Sequence, residues 1–359
     1  TVVLLSGWGS DPAYLDQICS ELGHPRLFVV RGEVEASLLE CIAILVENDG
    51  LPIELLKAAG VAIPKQTGGW QSEGRFREST DLAQLPSPYQ TGDLTPGEFD
   101  DTVLIEVSRG CLFQCGFCLS CNYRTRRPRF FPLDSIVKDI RYAIEQRAQS
   151  IGLLCSGLNY DVDVLEKVAG TFVEMSGSSR PFVESTIHAS LLDSRRLAAI
   201  RKIPWQRMIV GLQSTNAKAL EAMGRQVDCE AFRQAMMQVA ELHTPVVDVI
   251  LGLPGDSLQG FVDTMRFCLD LPVSIEVYPL RLDPGSAFFS NRRALGIEAD
   301  FSKQGQVIST PTFSADEMKR AKWALRQLGR NRWTHCARRL GFDFECLHDE
   351  TNCARGAKR

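Results

Sequence analysis

SRGCLFQCGFCLSC, residues Ser108 to Cys121, holds four of the twelve cysteines in this chain of 359 residues. Cys111, Cys115 and Cys118 follow a C-x3-C-x2-C spacing, and Cys121 comes next. Thiolates are soft ligands that suit iron–sulfur clusters, and thiolates so close in sequence can reach one cluster from a single loop. Three ligands on a cluster of four irons leave one iron open. The spacing therefore indicates a 4Fe-4S cluster whose open iron can chelate a small molecule and pass it an electron.

Two other kinds of metal site remain open from these residues alone. A closed cluster for electron transfer would use Cys121 as its fourth ligand, but the bacterial ferredoxin run is C-x2-C-x2-C-x3-C-P. This chain has the spacings in the opposite order and lacks the proline. A structural zinc site would usually draw its cysteines from two separated pairs. A cluster with three cysteine ligands therefore matches the stretch better than either alternative.

From residue 102 onward, apolar strand patterns alternate with amphipathic helix patterns. The helix pattern after the cysteine stretch, residues 133–148, has a strong apolar face, and Pro132 suits its start. Strands that alternate with helices predict a parallel sheet. Six such units predict a partial (β/α)6 barrel with its chemistry at the carboxyl ends of the strands. The predicted strands are TVLIEV (102–107), IGLLCS (151–156), FVESTI (182–187), RMIVGLQS (207–214), VVDVILGLPG (246–255) and SIEVYPL (274–280).

The N-terminal segment shows the same alternation on a smaller scale. TVVLLSG (1–7) and LFVV (27–30) have the pattern of buried strands, a helix pattern follows Asp11, and SLLECIAILVEN (37–48) is an amphipathic helix. This order predicts a partial Rossmann-like domain, a doubly wound parallel sheet. Gly, Ser, Gln and Pro are frequent after it, which predicts a linker. The predicted domains are 1–64 (partial Rossmann-like), 65–100 (linker), 101–290 (barrel with the cysteine loop) and 291–359 (C-terminal helical extension).

The cysteine pattern in this setting resembles the radical SAM superfamily, whose members use S-adenosylmethionine (SAM). Phe117, before the last motif cysteine, matches the aromatic residue that the family has there. The resemblance runs from Thr1 to about Met318 and is to the radical SAM proteins with a B12-binding domain. It implies an α/β fold in which a partial Rossmann-like domain of the cobalamin-binding type precedes a partial (β/α)6 TIM-like radical SAM barrel. The segments that carry it are Gly211–Arg225, Asp248–Ser257, Tyr278–Ser286 and Ser309–Met318.

The resemblance also implies how the cofactors act and which residues hold them. In the family, the open iron takes the amino and carboxylate groups of SAM, and reduction cleaves SAM to a 5′-deoxyadenosyl radical. SAM would lie across the strand ends, with its adenine near Phe117 and Leu253 and its methionine near Ser156 and Gly157. The implied residues are Cys111, Cys115 and Cys118 for the cluster, and Phe117, Ser156, Gly157, Ser185, His188, Gln213, Gly252, Leu253 and Pro254 for SAM.

A cobalamin, if the N-terminal domain binds one, would lie between that domain and the barrel mouth. Ligands of doubly wound sheets lie outside the carboxyl ends of the strands, where glycines let a bulky ring approach the backbone. The family's usual axial-ligand motif, D-x-H-x-x-G, does not occur in this sequence, so no histidine is expected below the cobalt. Tyr278 and Arg281, at the end of the sixth strand, are candidates for substrate contact. The cobalamin-side candidates are Gly7, Trp8, Gly9, Ser10, Arg31, Gly32 and Glu33.

Composition limits the class of partner. The net charge of −4 gives no general attraction to nucleic acid, so a small-molecule substrate is expected. No apolar run is long enough to span a membrane, and no signal peptide is visible. Three cysteines in a cluster, within a chain of this length, fit a reducing cytoplasm better than a disulfide-rich secreted scaffold. A basic run (Arg124, Arg126, Arg127 and Arg129) is either a solvated segment or a docking face for a flavodoxin- or ferredoxin-type reductant.

Three functions follow as hypotheses. The first is cobalamin-dependent methylation of an unreactive carbon by a radical SAM methyltransferase. The second is radical SAM hydrogen abstraction with elimination, rearrangement or cyclisation, without cobalamin. The third, from another class, is a non-catalytic iron–sulfur electron carrier, which would not need a barrel with six strand-end loops. Beyond the cofactor contacts, the sequence identifies no catalytic residue.

Overall fold

The computed structural model of the chain describes residues 3–6, 27–30, 33–47, 61–64, 70–72, 81–96, 101–119, 127–177, 181–327 and 332–333. These residues form a four-stranded sheet near the N-terminus and a seven-stranded sheet further along the chain. Two sheets of two strands each accompany them.

The N-terminal sheet is mixed in direction. Its strands, in spatial order, are β1 (Val3–Ser6), β2 (Leu27–Val30), β3 (Val61–Pro64) and β4 (Trp70–Ser72), and helix α1 spans Val34–Glu47. β1 and β2 pair in parallel, as the sequence pattern predicts. β3 pairs antiparallel with both β2 and β4, so the prediction of a wholly parallel sheet is wrong for this half. The connection over residues 65–69 is too short for the crossover that parallel strands need.

The second part of the chain is built from short strands and the helices that connect them. The strands are β5 (Thr102–Glu106), β6 (Ser108–Arg109), β7 (Arg129–Phe130), β8 (Ser150–Leu154), β9 (Phe182–Ile187), β10 (Trp205–Gln213), β11 (Val246–Leu251), β12 (Ser274–Pro279), β13 (Glu298–Asp300), β14 (Gln306–Ser309) and β15 (Arg332–Trp333). The helices are α2 (Pro88–Thr91), α3 (Leu133–Glu145), α4 (Val162–Glu174), α5 (Ser194–Ile200), α6 (Ala217–Ala222), α7 (Cys229–Ala240), α8 (Leu258–Leu269), α9 (Ala287–Ser290) and α10 (Ala315–Gln327), with 3-10 turns at Leu82–Gln84, Ala189–Leu191 and Phe301–Lys303. None of the described helices combines the length and the apolar character needed to cross a bilayer.

Six of these strands form an open, partial barrel. β5, β8, β9, β10, β11 and β12 lie side by side in chain order and pair in parallel, which confirms the predicted fold class. β15 pairs antiparallel with the outer edge of β12. Because parallel strands end at the same side, their carboxyl ends form one mouth. The cysteine loop follows β5 and β6 and therefore begins at this mouth.

The barrel strands have one face buried by helices and one open face. On β5, Val103 and Ile105 are 1% and 2% exposed, whereas Leu104 between them is 53% exposed. Helix α3 covers the buried face with an apolar stripe that includes Ile136 and Ile140. Alternate residues of each strand therefore point to the helices or to the concave inner face. We call the space over the inner face of these six strands the lumen.

The segment predicted as a linker contains α2, which protects the edge of the barrel. Ser87 caps α2, and the buried Asp139 of α3 accepts hydrogen bonds from Ser87 Oγ and Gln90 Nε2, each over 2.7 Å. The Tyr89 hydroxyl accepts from Leu104 N–H over 3.1 Å and donates to the Leu104 carbonyl oxygen over 2.9 Å. β5 is an edge strand, so Tyr89 satisfies backbone groups that would otherwise lie unpaired.

Candidate active site

The three motif cysteines lie in one short loop at the barrel mouth. Cys115 is buried, Cys111 and Cys118 are partly buried, and all three are free thiols. Gly110 opens the loop with a φ of 92°, which suits a residue without a side chain. The loop turns at Cys118, whose N–H donates a hydrogen bond to the Cys115 carbonyl oxygen over 2.9 Å. The three thiols are thus presented by one compact piece of backbone.

Backbone contacts from two other parts of the barrel hold the cysteine loop. The N–H of Gly116 donates to the carbonyl oxygen of Met223, just after α6, over 3.0 Å. The Gly116 carbonyl oxygen accepts a hydrogen bond from Phe288 N–H of α9 over 2.8 Å. A Cβ on Gly116 would lie 2.6 Å from the Phe288 ring, so this approach requires glycine. The fold therefore positions the loop through residues far from it in sequence.

The donor set fits an iron–sulfur cluster better than a single metal ion. Among the residues that the structure describes, no three His, Cys, Asp or Glu side chains are grouped so that they could hold one ion. A cluster does not need such convergence, because each thiolate ligates a different iron. Burial raises the pKa of the Cys115 thiol, and the guanidinium of Arg225 beside it acts in the opposite direction. Metal binding deprotonates a coordinating thiol outright, so the raised pKa of free Cys115 is compatible with its binding to a cluster.

An aromatic stack lies against the cysteine loop. The His188 ring stacks on Phe113 of the loop, with centroids 4.3 Å apart, and on Tyr160, with centroids 5.3 Å apart. The guanidinium carbon of Arg225 lies 5.7 Å from the Phe113 ring centroid. Burial, with the nearby charge of Arg225, lowers the pKa of His188 to about 3. His188 follows β9 as predicted, and it serves there as a neutral stacking partner rather than as a cation.

Gln213 ends β10 in an unusual backbone conformation. Its φ is 75°, and the pairing of β10 with β11 shifts register between Gly211 and Gln213. Arg225 Nη2 donates a hydrogen bond to the Gly211 carbonyl oxygen over 2.5 Å, which fixes this irregular strand end. Strained non-glycine residues cluster at functional sites. The SAM contact predicted for Gln213 stays a prediction, and the strand end adds Arg225, which the sequence did not single out.

The predicted SAM residues nearest the cluster lie beside the aromatic stack. Ser156 and Gly157 directly follow β8, with Ser156 partly exposed and Gly157 buried. The Tyr160 ring covers Gly157 so closely that a Cβ there would lie 2.5 Å from the ring. Phe117 is partly buried and packs against the barrel core. The structure thus brings these residues to the same side of the mouth as the cysteine loop.

The residues predicted to border adenine lie in a tightly packed turn after β11. Gly252 has a φ of 89°, and a Cβ on it would lie 2.5 Å from the Met318 side chain of α10. Leu253 and Pro254 are both buried, and Leu253 is 0% exposed. A ligand in this place would therefore meet the backbone of the turn, and the contact predicted for the Leu253 side chain stays a prediction.

Ser185 is used within the sheet. It shares the buried face of β9 with Val183 and Ile187. Its hydroxyl donates a hydrogen bond to the Leu153 carbonyl oxygen over 2.8 Å and lies 3.5 Å from Cys155 Sγ. These contacts join β9 to β8. The SAM contact predicted for Ser185 stays a prediction. The Ser185 hydroxyl already has a hydrogen-bond partner within the sheet.

The two candidates for substrate contact separate in the fold. Tyr278 lies on the inner face of β12, is 41% exposed and donates a hydrogen bond from its hydroxyl to Glu276. Arg281 Nε donates to the Gln304 carbonyl oxygen over 3.2 Å, which directs it toward the segment between β13 and β14. Tyr278 is therefore in the lumen, whereas Arg281 is engaged outside it.

Sequence reasoning missed a network of charged side chains in the lumen. Arg207 of β10 pairs with Glu184 of β9 over 2.5 Å and also with Glu276 of β12. Asp248 of β11 faces the same space, and burial with the nearby charge of Glu276 raises the pKa of Asp248 to about 7. Among the described residues, Asp248 Oδ1 and Arg207 Nε are buried without a hydrogen-bond partner. Two cavities of about 380 and 350 Å³ border Glu184. Charged residues at alternate positions of apolar strands were the signal for this network.

Asp248→Asn is expected to remove a pH-dependent loss of stability. The folded-state pKa of about 7 lies above the ordinary value of 3.8, so the folded protein keeps a proton that the unfolded chain loses. The free energy of unfolding of the wild type should therefore fall, relative to the variant, as pH rises between these two values, and level off above them. Urea unfolding of the cluster-free protein at about pH 5 and about pH 8 measures this change. Burial raises the pKa of Asp256 to about 6, but Asp256 is present in both proteins. Its contribution to the pH dependence therefore cancels in the comparison. A difference in stability that is equal at both pH values would contradict the burial of Asp248.

An ion-pair network joins the N-terminal part to the cysteine loop. Arg109, just before the loop, is 11% exposed and pairs with Glu106 at 2.8 Å, Glu35 at 2.6 Å and Glu33 at 3.4 Å. Arg129 also pairs with Glu33. Glu33 is thus a buried ion-pair partner, and it is the cobalamin-side candidate that the structure describes. The remaining residues that the sequence analysis singled out lie outside the described ranges. They are Gly7, Trp8, Gly9, Ser10, Arg31, Gly32, Cys121, Arg124 and Arg126.

Comparison with known proteins gives sequence relatives for the barrel. A sequence model described as the radical SAM superfamily matches residues 105–268. The tRNA-2-methylthio-N(6)-dimethylallyladenosine synthase of Fusobacterium nucleatum is 27% identical over 185 residues, which cover 46% of this chain and 40% of that protein. The hopanoid C-3 methylase of Methylococcus capsulatus is 22% identical over 257 residues, which cover 69% of this chain and 47% of that protein. The chain therefore spans less than half the length of these curated relatives.

Solved structures of two radical SAM proteins have a similar fold. The TsrM methyltransferase from Kitasatospora setae, solved with cobalamin and a 4Fe-4S cluster bound, has a TM-score of 0.63 at 14% identity, covering 80% of this chain and 58% of TsrM. OxsB, a cobalamin-dependent enzyme solved with aqua-cobalamin and SAM bound, has a TM-score of 0.67 at 13% identity, covering 91% of this chain and 53% of OxsB. At such identities the likeness concerns the fold. The matched sequence model identifies residues 105–268, which carry the cysteine loop at the mouth of the partial barrel, as a radical SAM domain.

Proposed function

We propose that this protein reductively cleaves SAM at a 4Fe-4S cluster held by Cys111, Cys115 and Cys118. The observation that carries the proposal is the arrangement of three free thiols in one loop at the mouth of an open barrel. A cluster bound there supplies the electron that splits SAM into methionine and a 5′-deoxyadenosyl radical. The residues of the chain hold the cluster, orient SAM and keep water away from the reacting atoms.

The groups around the cysteine loop complement the parts of SAM. The Arg225 guanidinium beside Cys115 carries the charge that pairs with the SAM carboxylate. Gln213 supplies an amide at the end of β10, on the side of the ribose. The backbone of Gly252 lies at the end of β11, where the turn beside the Met318 side chain would border the adenine. The proposed SAM site therefore runs from the cysteine loop across the ends of the neighbouring strands β10 and β11.

Gln213→Ala is expected to weaken SAM binding by about 1–2 kcal/mol, because it removes one buried hydrogen bond. Calorimetric titration of the reconstituted protein with SAM under anaerobic conditions gives the dissociation constant. Gln234→Ala, on the exposed side of α7, is the matched control and should leave that constant unchanged. If Gln213→Ala binds SAM as the wild type does, Gln213 is not part of the site.

We propose that a small-molecule substrate occupies the lumen. Leu104 and Leu154 are 53% and 46% exposed and give the β5 and β8 side an apolar surface. Tyr278 and the Arg207–Glu276 pair give the β10 and β12 side a polar one. The cavity of about 380 Å³ that borders Leu104 and Leu154 has the size of a small-molecule pocket. A substrate held there presents its reacting carbon toward the strand ends.

We propose further that the reaction is a cobalamin-dependent methylation. The fold likeness to TsrM and OxsB, both solved with cobalamin, supports this proposal, as does the sequence likeness to a hopanoid methylase. A cavity of about 780 Å³ lies between α1 and β5, on the side where a cobalamin would meet the barrel.

No histidine is expected below the cobalt, so electron paramagnetic resonance (EPR) of the cobalt(II) form should lack nitrogen splitting from the protein. Such splitting would overturn the ligand assignment.

The remaining parts of the proposal concern organisation and electron supply. We propose the domain limits that the sequence predicts, namely 1–64, 65–100, 101–290 and 291–359. A flavodoxin- or ferredoxin-type protein in a reducing cytoplasm is the proposed electron donor, because reductive cleavage consumes an electron that the chain does not generate.

Anaerobic reconstitution, with and without cobalamin, tests the proposed function. The reconstituted protein receives SAM, a chemical reductant and small-molecule extracts, and mass spectrometry follows 5′-deoxyadenosine, S-adenosylhomocysteine and methylated products. We expect 5′-deoxyadenosine in both samples, and S-adenosylhomocysteine with a methylated product in the cobalamin sample alone. Products that form equally without cobalamin would favour hydrogen abstraction followed by rearrangement or elimination. A loaded cluster that does not cleave SAM would favour an electron carrier.

A further inference from the structure

The hydroxyl of Tyr160 contacts the first motif cysteine from outside the cysteine loop. Tyr160 Oη lies 3.2 Å from Cys111 Sγ, although the two residues are 49 positions apart in sequence. Between a phenol and a free thiol, either group can be the donor. A thiolate that ligates iron has no proton, so with a cluster bound the phenol donates and the sulfur accepts.

Tyr160 is held so that its hydroxyl meets this sulfur. Its ring stacks on His188 with centroids 5.3 Å apart and covers Gly157, where a Cβ would lie 2.5 Å from the ring. The fold rather than the cysteine therefore fixes the Tyr160 ring, and the fixed ring places the hydroxyl next to Cys111 Sγ.

Hydrogen bonds to ligating sulfurs change how easily a cluster is reduced. They offset the negative charge that the cluster gains with an electron, and so they raise its reduction potential. Cys111 Sγ also accepts a hydrogen bond from Phe113 N–H over 3.4 Å. That bond comes from the backbone of the loop and needs no particular side chain. The bond from Tyr160 depends on one phenol and is therefore a property that this sequence adds.

We propose that Tyr160 is a positioning residue that donates a hydrogen bond to the Cys111 sulfur and thereby raises the reduction potential of the 4Fe-4S cluster. The inference rests on the proposed function, because it requires a cluster on the motif cysteines. It also gives Gly157 a second role, since only a residue without a side chain admits the Tyr160 ring at this distance. The aromatic stack of Phe113, His188 and Tyr160 holds the Tyr160 ring in place after β8 and β9. Through this hydroxyl, the two strand ends affect the reduction potential of the cluster.

A redox titration followed by EPR, in the absence of SAM, tests the inference. Tyr160→Phe keeps the ring and its stacking and removes the hydroxyl. At equal iron and sulfide content, we expect its midpoint potential to be more negative than that of the wild type. Tyr142→Phe, whose ring on α3 lies beside Tyr89 at 6.1 Å, is the matched control and should keep the wild-type potential. An unchanged potential in fully loaded Tyr160→Phe protein would overturn the inference.

A second measurement applies if Tyr160→Phe does not retain its cluster. Wild-type protein made with 3-fluorotyrosine carries a more acidic phenol, which donates a stronger hydrogen bond, so its midpoint potential should shift in the positive direction. No shift in that protein would overturn the inference. A wild type that binds no cluster would overturn the proposed function as well. If the wild type cleaves SAM but Tyr160→Phe and the 3-fluorotyrosine protein both have the wild-type midpoint potential, the inference is wrong and the proposed function stands.

Discussion

Cys115→Ala is expected to abolish the cluster signals and SAM cleavage together. With one of the three thiolates removed, two remain, and the cluster loses one of its three protein ligands. Cys111→Ala and Cys118→Ala should have the same effect. Iron and sulfide analysis, the EPR spectrum of the reduced protein and the yield of 5′-deoxyadenosine measure the loss. Retention of a full cluster in any of these variants would remove that cysteine from the ligand set.

Two other cysteine variants serve as controls for this prediction. Cys229→Ala, on α7, should keep the cluster and its activity, because Cys229 starts a helix and is not in the cysteine loop. Cys121→Ala should also keep both, since the fourth iron is expected to be open to SAM. Loss of the cluster in Cys121→Ala would favour a closed cluster with four cysteine ligands.

Arg109→Met is expected to lower the free energy of unfolding by about 1.5–3 kcal/mol, because it removes the charge-assisted hydrogen bonds from a buried guanidinium to Glu35 and Glu106, while Glu33 keeps Arg129 as its cation. Arg109 and Glu33 have side chains that are 11% and 3% exposed, and the Arg109 guanidinium lies 2.6 Å from Glu35. Met keeps much of the apolar volume and removes the charge. Urea unfolding of the cluster-free protein measures the change. Cluster loading should fall as well, since Arg109 fixes the start of the cysteine loop.

Arg195→Met is the matched control for the Arg109 prediction. Arg195 also pairs with two carboxylates, Asp163 and Glu166, but it is 54% exposed. Solvent screens such a pair, so its loss should lower the free energy of unfolding much less than the loss of Arg109 does. Equal effects of the two substitutions would show that the Arg109 network is not buried in solution, and the link between the N-terminal part and the loop would have to be abandoned.

The barrel could be predicted from the sequence because its signals are local. Each strand is an apolar run with a period of two, and each helix has a continuous apolar face, so element type and parallel direction follow from alternation. The N-terminal sheet was predicted less well. The apolar run VAIP (61–64) predicts a buried strand but does not indicate the direction of that strand. Its antiparallel pairing with β2 could therefore not be predicted from the sequence.

The candidate site likewise contains residues that could be predicted from the sequence and residues that could not. Cys111, Cys115 and Cys118 could be found because they lie within one short loop. Tyr160 and Arg225 could not, because their contacts with the loop are made across the fold. Ser185 was predicted to contact SAM at a strand end, but it lies within β9, and alternate residues of a strand face opposite sides, so Ser185 faces the buried side.

The EPR spectrum of the reduced, reconstituted protein before and after addition of SAM tests the central claim most directly. SAM that binds an open iron changes the electronic environment of the cluster. Three cysteine ligands and one open iron therefore predict a change in g values and line shape at saturating SAM, followed by formation of 5′-deoxyadenosine. A fully loaded cluster whose spectrum is the same with and without SAM, and which yields no 5′-deoxyadenosine, would contradict a radical SAM function.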